Sequence, residues 1–130
     1  MAARSLIEAL ALQRDMVIIA GSFAPNGGSA IDPLSRTGPG WSVARSNTGL
    51  YTVTLTDKYN ALLSAQATLQ LAVADDKFAN IIAVNLAAKT IQIGVWDVSG
   101  AALTDVAANA GNRVNFVFML SNTAQVPSRG

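Results

Sequence analysis

Apolar and polar residues alternate along much of the chain, with the two-residue period that is typical of β-strands. In one such segment, Tyr51, Val53 and Leu55 alternate with threonines, which predicts one face in the core and one toward solvent. The triplet Asn47-Thr48-Gly49 supplies a turn before it and predicts a hairpin. Strands are predicted for residues 16–20, 41–46, 50–56, 68–73, 78–86, 90–97 and 113–120. Because no repeated long helices accompany them, the fold class expected is all-β, an antiparallel β-sandwich or jelly-roll-like domain.

The N-terminal third has a different pattern. Residues 5–14 carry apolar side chains at helical spacing, which predicts a short amphipathic helix, and the apolar run 16–20 predicts a strand buried on both faces. Residues 21–40 hold three of the four prolines together with several glycines, which is typical of a long loop or extended arm. We therefore expect an N-terminal helix, strand and docking arm over 1–40 and a β-sandwich over 41–130, in a single structural domain.

Composition indicates a protein that covers part of its surface in an assembly. Hydrophobic residues make up 51% of the chain and charged residues 13%, where about 25% charged is usual for soluble domains. The strongest apolar run, Met16 to Ala20, is too short to cross a membrane. A net charge of +1 provides no field that would attract nucleic acid. The expected partners are other copies of the chain or another protein, with neither nucleic acid nor membrane.

Common catalytic chemistry is excluded by the residues that the chain lacks. The sequence has no histidine and no cysteine, which excludes disulfides, imidazole or thiolate metal sites and Ser-His-Asp triads. Residues 21–29 resemble a phosphate-binding loop, but Gly28 stands where that loop requires lysine. The carboxylates are scattered over turns, and Asp75-Asp76 lacks an EF-hand pattern around it. We predict no enzyme, cofactor or metal, with a small hydrolase using an aspartate pair as the least favoured class.

The last predicted strand carries apolar side chains on both faces. Val117 and Met119 lie opposite the face of Phe116 and Phe118, which predicts burial on both sides and therefore a neighbouring subunit. Large aromatic residues can anchor such an interface, or can equally be core residues, and an arginine can pair with carboxylates or simply keep the surface soluble. The subunit-interface candidates are Trp41, Tyr59, Trp96, Arg113, Val117 and Met119.

Two segments carry a family resemblance. Residues 49–59, GLYTVTLTDKY, and 112–118, NRVNFVF, resemble small virion proteins of tailed bacteriophages, and among these the capsid decoration or cement proteins. The likeness extends over about 41–120 and is one of pattern. It implies a homotrimer on the outer capsid surface, at threefold and quasi-threefold positions, that clamps neighbouring major capsid subunits after the shell expands. It also implies no catalytic residues, and synthesis in the host cytoplasm followed by localisation to the virion.

Under this interpretation the N-terminal arm docks on the shell by adding a strand to an exposed sheet edge of the capsid protein. The capsid-docking candidates are Leu6, Ile7, Leu10, Phe23, Ile31, Leu34 and Arg36. The alternative is a trimeric fibre-tip or receptor-binding module, in which loops 57–60 or 99–112 contact a host glycan or protein. We favour the cement interpretation because the chain begins at Met1 and shows no shaft repeat.

Overall fold

Two antiparallel β-sheets make up the part of the chain that the structure, a computed structural model, describes, which is residues 16–121. Its strands are β1 (Met16–Phe23), β2 (Trp41–Asn47), β3 (Leu50–Leu55), β4 (Ala61–Gln70), β5 (Lys77–Asn85), β6 (Thr90–Asp97), β7 (Ala102–Leu103) and β8 (Arg113–Ser121). One sheet has the order β1-β8-β4, and the other has the order β2-β3-β6-β5 with β7 paired to β6. The predicted all-β antiparallel fold is therefore confirmed.

The core lies between the two sheets, and the predicted alternation selects its members. Tyr51 and Val53 of β3 and Ile93 of β6 are fully buried, as are Val114 and Phe118 of β8. Every second side chain of a strand points to the same face, so these residues meet in a single hydrophobic cluster contributed by both sheets. The predicted inward face of β3 is confirmed, and in β8 Phe116 and Phe118 lie on the buried face.

The strand β4 extends further toward the N-terminus than the alternation predicts. It runs from Ala61 to Gln70, while the predicted strand at 68–73 overlaps only its last three residues. A β-bulge between Leu62 and Ser64 shifts the pairing with β8, so the apolar and polar positions before it lose their two-residue period. Val73 lies beyond the strand and is 76% exposed, so the part of the predicted strand after Gln70 is wrong.

The strand of the predicted N-terminal arm is an integral part of a sheet. β1 pairs with β8 along its whole length, from Met16 opposite Ser121 to Phe23 opposite Val114. Its two faces differ, because Ile19 is buried whereas Ile18 is 50% exposed, so burial on both faces is not found within one protomer. The predicted helix at 5–14 lies outside the described residues.

The segment 24–40 returns along β1 and covers its free edge. Ser22 and Thr37 exchange two backbone hydrogen bonds, of 3.2 and 2.8 Å between nitrogen and oxygen. A 3-10 turn, Pro33–Ser35, follows Asp32, whose side-chain oxygen accepts a hydrogen bond from the backbone nitrogen of Leu34. Within residues 16–121, no helix is long and apolar enough to span a bilayer.

Candidate functional site

Side chains that could carry chemistry are dispersed in this fold. Among residues 16–121, no three or more histidine, cysteine or carboxylate side chains come together in a way that could hold a metal ion. The carboxylates that the sequence places in turns remain in turns, at Asp57 and at Asp75-Asp76. The features of the described residues that could bind a partner are therefore cavities and uncharged surfaces.

A cavity of about 290 Å³ lies at one end of the sheets, between the turn after β4 and the loop before β8. Several of the polar side chains that line it form hydrogen bonds or an ion pair within the protomer. Asn112 accepts a hydrogen bond from the backbone nitrogen of Ala72, and its amide nitrogen donates to the carbonyl of Ala107. The ammonium of Lys77 lies 2.5 Å from a carboxylate oxygen of Asp75. The cavity is therefore built by hydrogen bonds that hold two loops together.

One wall of this cavity contains an ion pair that fastens the β2-β3 hairpin to the loop after β7. Arg45 donates from Nε and Nη2 to the two carboxylate oxygens of Asp105, at 3.0 and 2.8 Å. The backbone nitrogen of Gly49, in the hairpin turn, also donates to Asp105, at 2.9 Å. The Arg45 guanidinium lowers the pKa of Asp105, and the Gly49 hydrogen bond acts in the same direction. Burial, with a smaller contribution from Asp105, raises the pKa of nearby Tyr51 to about 12.

Replacing Asp105 with asparagine is expected to destabilise the fold by about 1–3 kcal/mol at pH 7, because a two-point charged hydrogen bond is lost. The folded-state pKa of Asp105 is lowered, so its contribution is present above the unfolded pKa of about 4 and is lost as pH falls through the folded value. The difference in free energy of unfolding between parent and variant, measured with urea, should become smaller from pH 7 to pH 3. Replacement of the exposed Asp57 with asparagine is the control. If Asp105→Asn lowered the free energy of unfolding equally at both pH values, the pH-dependent contribution assigned to Asp105 would be contradicted.

The outer face of the β1-β8-β4 sheet carries an apolar stripe. Ile18, Val117 and Met119 are 50%, 37% and 36% exposed, and Ile18 lies directly opposite Met119 in the β1-β8 pairing. On the other side of β8, Ser64 is opposite Met119 and Gln66 is opposite Val117. The outward positions of β1 and β4 are uncharged. We call this surface the β8 outer face, and it is the surface of this sheet best suited to contact another protein.

A groove of about 490 Å³ separates β4 from β5, and sequence reasoning missed it. Its lining combines apolar and polar side chains, which are Ala65, Gln66, Ala67, Thr68, Ala79, Asn80 and Ile81. Four apolar side chains on the same two strands are at least 40% exposed: Leu63, Phe78, Ile82 and Val84. The signal available in the sequence is the lack of any charged residue at 59–74 and again at 78–88.

Four of the sequence candidates lie in the core instead of on a surface. Phe23 and Trp41 are 0% and 2% exposed, and Ile31 and Tyr59 are 7% and 8% exposed. Trp41 packs edge-on against Phe116, with ring centroids 4.7 Å apart. The protomer's own sheets cover these side chains, so they stabilise the fold and are not available to a shell protein or another subunit.

The two arginine candidates are both engaged within the protomer. Arg113 donates to the hydroxyl of Ser22 and to the carbonyl of Ser35, at 3.0 and 2.6 Å. Arg36 lies over the ring of Trp41, 5.6 Å from its centroid, and donates to that residue's carbonyl. Arg113 therefore holds the 3-10 turn against β1, a role that its sequence position does not reveal.

The remaining candidates are accessible or lie outside the described residues. Val117 and Met119 form the β8 outer face, while half-buried Trp96 donates from its indole nitrogen to Asn80 at 2.8 Å. Leu34, on the 3-10 turn, is 92% exposed. Leu6, Ile7 and Leu10 lie outside the described residues. The structure thus leaves Val117 and Met119 together on one face and Leu34 on a different part of the surface.

Comparison with known proteins adds no assignment to this geometry: no family model, no curated protein and no solved structure matches the chain.

Proposed function

We propose that the chain is a non-enzymatic structural protein of a phage virion. It binds the outer surface of the capsid as a homotrimer and stabilises the shell by clamping adjacent major capsid subunits. The observation that supports this most is the β8 outer face, where Val117 and Met119 on the central strand β8 and Ile18 on the adjacent edge strand β1 remain partly exposed. The resemblance of 49–59 and 112–118 to capsid decoration proteins agrees with it.

The proposed trimer, which the family resemblance implies, would cover that face. Apolar surface gains about 25 cal/mol per Å² when it leaves water, so three stripes that meet around one axis stabilise a closed ring. A charge on such a surface would meet its own copies near the axis and repel them, and the outward positions of β1 and β4 carry none. For the fold itself, we propose that the two sheets have a jelly-roll arrangement.

Shell binding requires only a preference for the assembled lattice. A protein that binds several adjacent capsid subunits, and binds them only in the expanded shell, stabilises that shell by mass action. Three linked copies add their modest individual affinities through effective concentration. The proposal assigns this contact to the N-terminal segment, with Leu6, Ile7 and Leu10 as the docking side chains.

A fibre-tip or receptor-binding module is the second candidate, and one observation favours it. The cavity of about 290 Å³ lies partly within loop 99–112, where a host glycan or protein was expected to bind. Such a module would also be trimeric, so its partner distinguishes it. Binding to host cells without binding to shells would select this candidate.

Co-sedimentation with capsid shells tests the proposed function. Expanded shells that lack decoration, from the virus that encodes the chain, are mixed with purified protein and pelleted, with unexpanded shells as the control. The protein is expected to pellet with expanded shells to saturation, and to raise their melting temperature because it binds only the assembled state. A trimer that stays in the supernatant at concentrations far above those of the shell sites would refute the capsid assignment.

A further inference from the structure

We propose that the groove between β4 and β5 of one protomer receives Leu34 of the next protomer in the ring. This inference rests on the proposed homotrimer and names a contact within it. It assigns Leu34 to the interface between copies instead of to the shell.

The groove lies between the edge strands of the two sheets, which face each other there without hydrogen bonding. β4 pairs only with β8, and β5 pairs only with β6, so in the described part of the chain neither strand has a partner on the groove side. On the opposite side, segment 24–40 with its three prolines covers the edge of β1. Exposed strand edges are normally protected by charges, prolines or a covering loop. The contrast between the two sides indicates that an assembly covers the β4-β5 side.

The composition of the bare side favours a second copy of the chain as the occupant. β4 contains no charged residue, and on β5 the only one is Lys77, at its first position, where it pairs with Asp75. A charge that loses water at an interface needs a partner, and the turn Pro33–Ser35 of this chain is also uncharged, so the two surfaces match in polarity. The strands contribute 10 and 9 residues, close to the roughly 20 residues a side of a stable protein interface.

Leu34 is the side chain of this chain best suited to fill the groove. It is 92% exposed, the largest exposure among the large apolar residues described. Its position is fixed, because Asp32 accepts from the Leu34 backbone nitrogen at 2.9 Å and Arg113 donates to the Ser35 carbonyl at 2.6 Å. The groove that would receive it is lined by small side chains such as Ala65 and Ala67. Because the backbone of the turn is already held, binding would order only the Leu34 side chain itself, which costs little conformational entropy.

The positions of the two partners fit a head-to-tail ring. The 3-10 turn is held beside β1, where the Ala24 backbone nitrogen donates to Ser35 Oγ, and the groove borders β4. Because β1 and β4 are the two edges of the same sheet, each protomer would present Leu34 to one neighbour and its groove to the other. The β8 outer face lies between these edges, so the contact would be continuous with the face that the trimer is proposed to bury.

Replacing Leu34 with aspartate tests the contact without disturbing the protomer, since the side chain is 92% exposed. The concentration at which half of the trimer dissociates, measured by light scattering, is expected to rise by about tenfold or more, the effect of losing one buried leucine per interface. The matched control is Val98→Asp, at a 60% exposed position on the turn after β6, which should match the parent. A Leu34→Asp protein that dissociates like this control would overturn the inference.

Engineered cysteines locate the contact directly, because the chain contains none of its own. The double variant Leu34→Cys with Ala67→Cys should form covalent trimers on mild oxidation, since a disulfide needs Cα atoms within about 7 Å. Cross-linking of the Ala67→Cys variant alone would show that the groove meets its own copy and would refute Leu34 as occupant. If the double variant is trimeric but does not cross-link, this contact is wrong and the trimer stands. A parent chain that is monomeric rejects both.

Discussion

Replacing Gly49 with alanine is expected to lower the free energy of unfolding by about 3 kcal/mol or more. Gly49 is buried in the β2-β3 turn and has a φ of +63°, a left-handed conformation that disfavours any side chain. A Cβ there would lie 2.6 Å from the backbone nitrogen and oxygen of Thr104 and 2.8 Å from the carbonyl oxygen of Val95. Because these are backbone atoms, they cannot move away by a change of rotamer.

The displacement would also break the hydrogen bonds that converge on the turn. The Val95 backbone nitrogen donates to the Gly49 carbonyl at 2.8 Å, and the Gly49 nitrogen donates to Asp105. Urea unfolding of Gly49→Ala and of the control Gly100→Ala gives the comparison, because nothing lies within 4 Å of a Cβ added at Gly100. A Gly49→Ala protein as stable as the control would show that the β2-β3 turn does not need its close contacts with Val95 and Thr104.

Replacing Met119 with aspartate is expected to convert the trimer to a monomer at micromolar concentration. Met119 is 36% exposed on the β8 outer face, so the new carboxylate remains hydrated in a free protomer. In the trimer, three such carboxylates would be buried near one another without partners, which costs several kcal/mol for each. Molar mass by light scattering measures the change, and circular dichroism checks that the sheets remain folded.

The control for this variant is again Val98→Asp, which introduces the same charge away from the face. A Met119→Asp protein that keeps the mass of its parent would show that the β8 outer face is not where copies meet. The proposed trimer would then have to use other surfaces, and the contact of Leu34 with the β4-β5 groove could still be tested separately.

The strands that the sequence predicts well are those with strict alternation. In β3 and β6, a turn or charged link bounds a run in which every second residue is large and mainly apolar. Both strands are found within one residue of their predicted ends. The start of β4 was missed because a bulge at Leu63 breaks the period that would reveal it.

Burial of single aromatic residues was harder to predict. Trp41 reaches the core because Gly21, on the neighbouring β1, leaves room for its ring: a Cβ at Gly21 would lie 2.5 Å from Trp41 Cζ2. Likewise, Arg45 and Asp105 are 60 residues apart in the chain, and only the folded sheets bring them together. Contacts of this kind depend on which strands become neighbours, which local pattern does not specify.

The amino-acid composition alone predicts that part of the exposed surface is uncharged. A chain with 13% charged residues must leave uncharged surface on its exterior, and the structure places part of it on the β8 outer face and on β4 and β5. Which of these surfaces meets another copy depends on shape, since all are similar in composition. That is why the groove emerged only from the folded structure, whereas Leu34 was already a docking candidate in the sequence.

The molar mass of the parent chain in solution tests the central claim, that these uncharged surfaces are buried between copies, most directly. Light scattering over a concentration series is expected to give three times the chain mass of 13.5 kDa, about 40 kDa, with dissociation only on strong dilution. A mass of 13.5 kDa throughout the series would contradict the account, because the β8 outer face and the β4-β5 groove would then remain exposed to water.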